Sequence, residues 1–322
     1  MAFNFKNTIK HVMMKFELKQ NVVAHAKEFI EQHAISQNEL AKATGVNARY
    51  LIAMFKGEEV LDDAKQTKIA DKYYVRLANY IGFQLEKQYW EVRPTDQLKS
   101  ITSVLVDAKT NGETAVITGA TGCGKTFTCK LFQRKYPQEV FIVTVGASDN
   151  LGDLLDKILE AINVQSIKRT KSARIRLINK TLLKLNEEGK EPVLIFDEAE
   201  YMKQPALAAL KELYDNLNSV CALVLIGTEQ LTDNIEKLKR RDKPGIPQLY
   251  RRIRYRIRPL PGIDRSFSLF LNGSYDKNLV KWLRSNCDNY GELHDVLVPA
   301  LREADRTGDK LSVDFVKMTL GI

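Results

Sequence analysis

Cysteine is scarce in this 322-residue chain, and the four that occur, Cys123, Cys129, Cys221 and Cys287, form no C-x-x-C pair and have no histidine spaced to join them. That spacing disfavours a zinc site and suits a reducing compartment. Long apolar runs are missing as well. The strongly apolar stretches are of strand length, well short of the roughly 20 residues a membrane-crossing helix needs. Met1 to Phe16 carries charges and no apolar signal-peptide core. The expectation is a cytoplasmic protein with no membrane partner. No internal repeat or low-complexity tract appears. Acid is absent from one long stretch: none falls between Glu160 and Glu187, where Lys168, Arg169, Lys171, Arg174, Arg176, Lys180 and Lys184 all occur. A second basic stretch, Lys239 to Arg258, holds the single acid Asp242.

The net charge of +9 is uneven, at +3 for residues 1–90, +7 for 91–260 and −1 for 261–322. Two acid-poor runs in one region favour a polyanionic partner over a merely solvated face. The length allows two to three domains, and 44% apolar residues suffice for packed cores.

The most specific motif is Gly119-Ala120-Thr121-Gly122-Cys123-Gly124-Lys125-Thr126, which matches the phosphate-binding loop G-x-x-x-x-G-K-[ST] and follows the apolar run Ala115-Val116-Ile117. In such a loop, glycines let backbone N–H groups turn inward around phosphates. Lys125 then supplies a point charge for the β and γ groups, and Thr126 a hydroxyl for Mg²⁺. Gly119, Thr121, Gly122, Cys123, Gly124, Lys125, Thr126 and Phe127 are the candidate nucleotide contacts, with Cys123 serving through its backbone. A second motif, Pro192-Val193-Leu194-Ile195-Phe196-Asp197-Glu198, reads as a buried parallel strand ending in two acids.

Residues 36–57 read as helix, glycine turn, helix. Ser36 can cap the first helix with Glu39 at N3, Gly45 supplies the turn and Asn47 can cap the second helix. Leu40, Ala41, Val46, Leu51 and Phe55 fall where a small trihelical core needs them. Residues 65–83 continue helical, and 91–95 with Pro94 form a joint. Thr95 then caps a helix bearing Leu98, Ile101, Leu105 and Ala108 on one face. Beyond it strands at 115–118, 139–145, 192–197, 220–226 and 252–258 alternate with helices, which specifies a parallel sheet covered on both faces. From Asp264 onward only helical periods remain. The expected organisation is 1–90 as a helix-turn-helix domain, 91–262 as a nucleotide-binding core and 263–322 as a helical lid. Residues 36–57 resemble the repressor-type helix-turn-helix, which implies that Asn47, Arg49 and Tyr50 face DNA; a purely protein-binding role for the domain is the alternative.

The order of phosphate-loop strand, intervening strand, Asp-Glu strand, strand ending Gly227-Thr228, arginine-rich Gln248-Leu249-Tyr250-Arg251-Arg252-Ile253 and helical lid resembles the AAA+ ATPases over about residues 91–320. The resemblance implies an α/β P-loop fold that uses ATP and Mg²⁺. Asp197 would hold Mg²⁺ together with Thr126, Glu198 would activate the attacking water, and Thr228 would sense the γ-phosphate. Arg252, with Arg251 as competitor, matches the arginine finger offered to a neighbouring subunit. An ordinary strand with Arg254, Arg256 and Arg258 facing outward is the alternative reading of that segment. Gly291-Glu292-Leu293-His294 aligns with the sensor-2 helix, which implies His294 as a further nucleotide contact, standing in place of the usual arginine. Total length, the N-terminal domain and the Asp-Glu-Ala-Glu strand end look like the phage Mu B and TnsC transposition regulators. That likeness implies self-assembly, as oligomers or filaments, on double-stranded DNA with little sequence preference and delivery of the DNA to a transposase. Lys168, Arg169, Lys171 and Arg174 match the region that lines DNA there. A helicase loader or replication initiator, and a nucleotide-switched transcription regulator, are the alternative functions.

The helix that follows supports that placement on physical grounds. Arg176, Lys180 and Lys184 recur every four residues along one face, while Ile175, Ile178, Leu182 and Leu185 line the other.

Overall fold

A computed structural model describes residues 16–58, 60, 68–83, 89–165, 170–271, 273 and 275–322. They fall into two compact units divided after residue 88.

The first unit is helical: α1 (Phe16–His33), α2 (Gln37–Thr44), α3 (Ala48–Lys56) and α4 (Asp71–Ile81). Ser36 and Glu39 close a capping box at the start of α2, and Gly45, at φ +64°, makes the left-handed exit that lets α3 begin three residues later. Asn47 caps α3 by accepting from Arg49 N at 2.9 Å. Leu40, Ala41, Val46 and Leu51 are buried together with Val22, Ala26, Tyr74 and Leu77, so α1 and α4 complete the core that α2 and α3 begin. Two differences from the sequence expectation arise here. The helix α1 is additional; of the stretch expected to be helical from residue 65, residues 65–67 lie outside the described residues, Lys68 forms an isolated antiparallel bridge with Val60 and the helix begins at Asp71.

The second unit continues with α5 (Asp96–Asn111), β1 (Ala115–Thr118), α6 (Lys125–Lys135), β2 (Val140–Thr144), α7 (Leu151–Ala161), α8 (Lys171–Glu187) and β3 (Val193–Asp197). A 3-10 turn at Ala199–Tyr201 leads to α9 (Gln204–Leu217), β4 (Ala222–Gly227), α10 (Gln230–Arg240), α11 (Ile246–Ile253) and β5 (Ile257–Pro259). The chain closes with α12 (Ser268–Leu271), α13 (Lys277–Asn286), α14 (Tyr290–Thr307) and α15 (Val313–Leu320). The strands form one sheet in the order β2-β3-β4-β1-β5, all parallel. Successive strand residues serve opposite faces. Val193 and Ile195 join Ile101, Leu105, Cys129 and Phe132 under α5 and α6, while Leu194 and Phe196 join the larger cluster under α7 to α11. Coverage of both faces is why these strands read as continuous apolar runs. The last helices enclose their own core, built on Phe267, Leu279, Leu283, Leu293 and Leu297, with Trp90 packed against it.

The strand expected over 252–258 is corrected. Arg251 and Arg252 lie in the last turn of α11, and only Ile257–Pro259 pairs with β1. Ile246, Leu249 and Ile253 are buried at helical spacing, and that burial overrides the alternation of isoleucine and arginine that suggested a strand.

Candidate nucleotide site

Register brings the site together. Thr118 at the end of β1 lies beside Gly227 at the end of β4, and Asp197 ends β3 beside Thr144 of β2. The carboxyl ends of these strands therefore meet along one edge, with β1 inside the sheet and the loop Gly119–Gly124 rising from it into α6. This is the crevice where open α/β sheets bind ligands. Gly124, at φ +95°, turns the chain into α6, whose N-terminal amides face the loop and favour an anion there.

Thr126 Oγ1 donates to Asp197 Oδ2 at 2.7 Å, which places a hydroxyl and a buried carboxylate side by side, 71 residues apart in sequence. Glu198 N donates to the other oxygen, Asp197 Oδ1, at 3.1 Å. Both carboxylate oxygens of Asp197 are thereby oriented. Glu198 itself is exposed and sits at φ +56° and ψ +37°, a left-handed conformation that a non-glycine residue adopts at a cost and that clusters at functional sites. Lys125 Nζ donates to Gly119 O at 2.8 Å and Ala120 O at 2.9 Å, so its ammonium lies across the loop mouth. Burial pushes the Cys123 thiol up, against the opposing pull of Lys125, in keeping with a residue that works through its backbone. Thr121, Thr126 and Phe127 are exposed.

Thr228 Oγ1 is buried without a hydrogen-bond partner among the described residues, and so is Glu200 Oε2. Each unsatisfied buried oxygen calls for a partner such as water or a ligand. A β-carbon on Gly227 would lie 2.2 Å from Glu200 Oε2, so Glu200 reaches the same strand end as Thr228. The oxygen donors Thr126 and Asp197 suit Mg²⁺, which is held by one or two protein oxygens together with substrate phosphates and water. Among the described residues no cluster of three or more His, Cys, Asp or Glu could hold a metal alone; the Thr126–Asp197 pair fits an ion that arrives with a nucleotide.

Other candidate residues are placed as follows. Arg252 pairs with Asp215 of its own chain, donates to Gln248 O and lies over the Tyr214 ring; Arg251 is exposed. His294 Nδ1 meets Asp295 Oδ1 at 2.9 Å and the ring stands edge-on to Trp90. Lys168 and Arg169 lie outside the described residues. Lys171 is exposed at the start of α8, whereas Arg174 is bound to Asp156 at 3.1 Å and to Gly152 O. Arg176, Lys180 and Lys184 are exposed along one face of α8, opposite buried Ile175, Ile178 and Leu182. In the first unit Asn47 is occupied as a cap, Tyr50 packs edge-on against Tyr73, and Arg49 is exposed.

Three residues near the site escape a reading of the sequence. Glu200 is visible there only as part of the Asp-Glu-Ala-Glu strand end. Gln97 is buried in α5, where its amide donates to Pro261 O and Gly262 O and its oxygen accepts from Tyr290 Oη at 3.3 Å. Asn289 caps α14, and its Asn-x-x-Glu spacing to Glu292 is the available signal.

The AAA domain family model matches residues 109–235. Among curated proteins no sequence matches. The crystal structure of Cdc6p from Pyrobaculum aerophilum superposes with a TM-score of 0.52 at 16% identity, covering 72% of this chain and 66% of that one. The present chain thus spans just under two thirds of that relative's length. Two RuvB variants from Thermotoga maritima give TM-scores of 0.41 and 0.42 at 14% and 13% identity, over 71% of this chain and 73% and 70% of theirs. The chain has the P-loop AAA+ fold, and among the described residues no helix is long and apolar enough to cross a membrane.

Proposed function

We propose that this P-loop AAA+ chain is an ATPase that assembles with copies of itself on double-stranded DNA and delivers that DNA to a transposase. The observation that carries the ATPase reading is Thr126 against Asp197 with the strained Glu198 beside them. Mg²⁺ bound at Thr126 and Asp197 would supply charge neutralisation for the phosphates. Lys125 and the loop amides orient the phosphate chain, and Glu198 takes the proton from the attacking water, since phosphoryl transfer depends mostly on positioning and electrostatics. Thr228, whose buried hydroxyl has no partner among the described residues, would sense the γ-phosphate. Arg252 completes the site of a neighbouring subunit. Non-specific DNA affinity comes from the Lys168–Arg174 segment and the basic face of α8, with hydrolysis releasing the DNA. The transposase and the filament rest on the sequence resemblance to the Mu B and TnsC regulators.

Glu198→Gln tests the centre. An amide keeps the shape but takes no proton, so ATP binding is retained, hydrolysis falls strongly and DNA complexes last longer; hydrolysis at the wild-type rate would remove Glu198 from the mechanism. Electron microscopy with ATP and random-sequence duplex tests the assembly. Regular DNA-coated filaments are expected. Discrete rings without DNA would indicate a remodelling or loading machine, and binding confined to a short palindrome would indicate a transcription regulator.

A further inference from the structure

Gly122 occupies a free position of the phosphate-loop motif, yet two constraints require glycine there. Its φ is +72°, and a β-carbon would lie 2.1 Å from Asn289 Oδ1 and 2.4 Å from Asn289 Cγ. The first turn of α14 is thus seated on the phosphate loop. Gly291 N donates to Gly122 O at 3.1 Å. Asn289 is held in place from its own helix, accepting from Glu292 N at 2.9 Å and donating to Glu292 Oε1 at 2.8 Å. The neighbouring Tyr290 is anchored through its hydroxyl to Gln97, which also binds the Pro261 and Gly262 carbonyls. At the other end of the loop, a β-carbon on Gly119 would meet Leu260 at 2.8 Å. The loop is therefore clasped at both ends by the segment that begins after β5. The side chain aligned with the sensor-2 position, by contrast, is engaged by Asp295 and Trp90.

Peptide geometry gives this contact a consequence. Gly122 C=O and Cys123 N–H belong to one planar trans peptide and point in opposite directions. When Gly291 N–H holds that carbonyl, the Cys123 amide is aimed away from α14, into the loop whose amides cradle phosphates. Seating of α14 and orientation of a phosphate-binding amide are then two ends of one rigid plane.

We propose that Asn289 and Gly291 form a latch through which the C-terminal helices sense the nucleotide, reading the backbone of the phosphate loop in place of a phosphate-reading side chain at 294. Asn289 acts as a positioning residue. It seats the first turn so that the Gly291 amide reaches Gly122. Coupling of this kind is reciprocal: a seated latch strengthens nucleotide binding, and bound nucleotide protects the latch by the same factor.

The proposal rests on the nucleotide-binding reading above, and hydrogen exchange of the full chain separates the two. Asn289→Ser retains a helix cap of comparable strength but withdraws the atoms packed on Gly122, while Asn289→Ala removes both. In nucleotide-free protein both variants should exchange the 289–293 amides faster than wild type. Both should also bind ADP and ATP more weakly by about fivefold or more, with loss of the nucleotide-induced protection of 289–293. Wild-type exchange and affinity in Asn289→Ser would overturn the latch, as would a His294→Ala effect as large as that of Asn289→Ala. If wild-type protein binds neither nucleotide, the ATPase reading fails, and exchange of the nucleotide-free variants still decides whether the latch exists.

Discussion

The two basic stretches look alike in sequence and differ in the folded chain. Along α8, Lys171, Arg176 and Lys180 are exposed and form no ion pair with other described residues, and Lys184 meets only Glu188, one turn on, at 3.7 Å. Between Lys239 and Arg258 several of the cations have partners within the chain, and Arg252 and Arg256 are partly buried. Arg252 pairs with Asp215, Arg256 with Glu113 and Arg240 with Glu236. Lys239 lies over the Tyr250 ring at 3.8 Å, and Arg254 over Tyr255 at 4.2 Å. Charge density along a sequence thus measures the supply of cations, whereas the fold decides which remain available to a polyanion. Segment 171–187 has no acid before Glu187 in sequence and, apart from Arg174, which Asp156 and Gly152 O hold, turns its charges outward, so its field reaches solvent. The later segment has little acid of its own, but acids from α5's exit, α9 and α10 reach it.

The largest expected effect probes the second stretch. If Arg252 serves a neighbouring subunit, Arg252→Ala lowers ATP turnover by on the order of 10³-fold, and mixing it with Lys125→Ala protein restores part of the activity, because an intact arginine then meets an intact loop. Asp215→Ala, which removes only the intrachain partner, should leave turnover within a few-fold of wild type. Equal loss in both variants, with no restoration in mixed oligomers, would make Arg252 a structural arginine.

A smaller effect is expected at α8. Glutamate at 176, 180 and 184 together should weaken binding to every duplex sequence and flatten the log-log salt dependence by about 0.9 for each phosphate that is no longer neutralised. Salt titration of fluorescence anisotropy measures it. An unchanged slope would move the DNA-binding surface elsewhere and erase the contrast with the second stretch.

Arg256→Ala sharpens the contrast from the other side. The partly exposed Arg256–Glu113 pair should contribute about 0.2–1 kcal/mol to stability, visible in denaturant titration, while DNA affinity stays at the wild-type value. A drop in DNA affinity comparable to that of the α8 variant would show that internal pairing does not remove a cation from the DNA surface.

The smallest effect depends on pH. The hydrogen bond from Lys211, aided by Arg252, holds the Asp215 carboxyl below the usual aspartate range. A depressed folded-state value means the pairing contributes fully above the unfolded aspartate value and is lost as pH falls through the lower folded value. Thermal midpoints should therefore separate wild type from Asp215→Asn at neutral pH and converge in acid; a constant gap would mean the pairing does not depend on the charge of Asp215.

Much of the fold is legible because local chemistry dictates it. The phosphate loop needs glycines, lysine and a hydroxyl in fixed order, parallel strands buried on both faces read as apolar runs, and Ser36 with Glu39 announces the start of α2. The boundary between α11 and β5 is not legible, since 253, 255 and 257 alternate as a strand while 246, 249 and 253 repeat as a helix. Burial against the sheet settles which period applies. In the site, Thr126, Asp197 and Glu198 are readable from motifs, whereas the places of Glu200, Gln97 and Asn289 are not, because the residues they approach, Gly227, Pro261 with Gly262, and Gly122, lie far away along the chain.

The order of elements, the phosphate-binding chemistry and the supply of positive charge belong to the linear chain, since each depends on residues within a few positions of one another. Which arginines stay free, where Asp197 meets Thr126, and that α14 rests on Gly122 are matters of tertiary structure alone. Contacts between residues 71 and 169 positions apart, such as Thr126 with Asp197 and Gly122 with Gly291, leave no periodic trace in the sequence, and only packing of the sheet and its covering helices brings them within hydrogen-bonding reach.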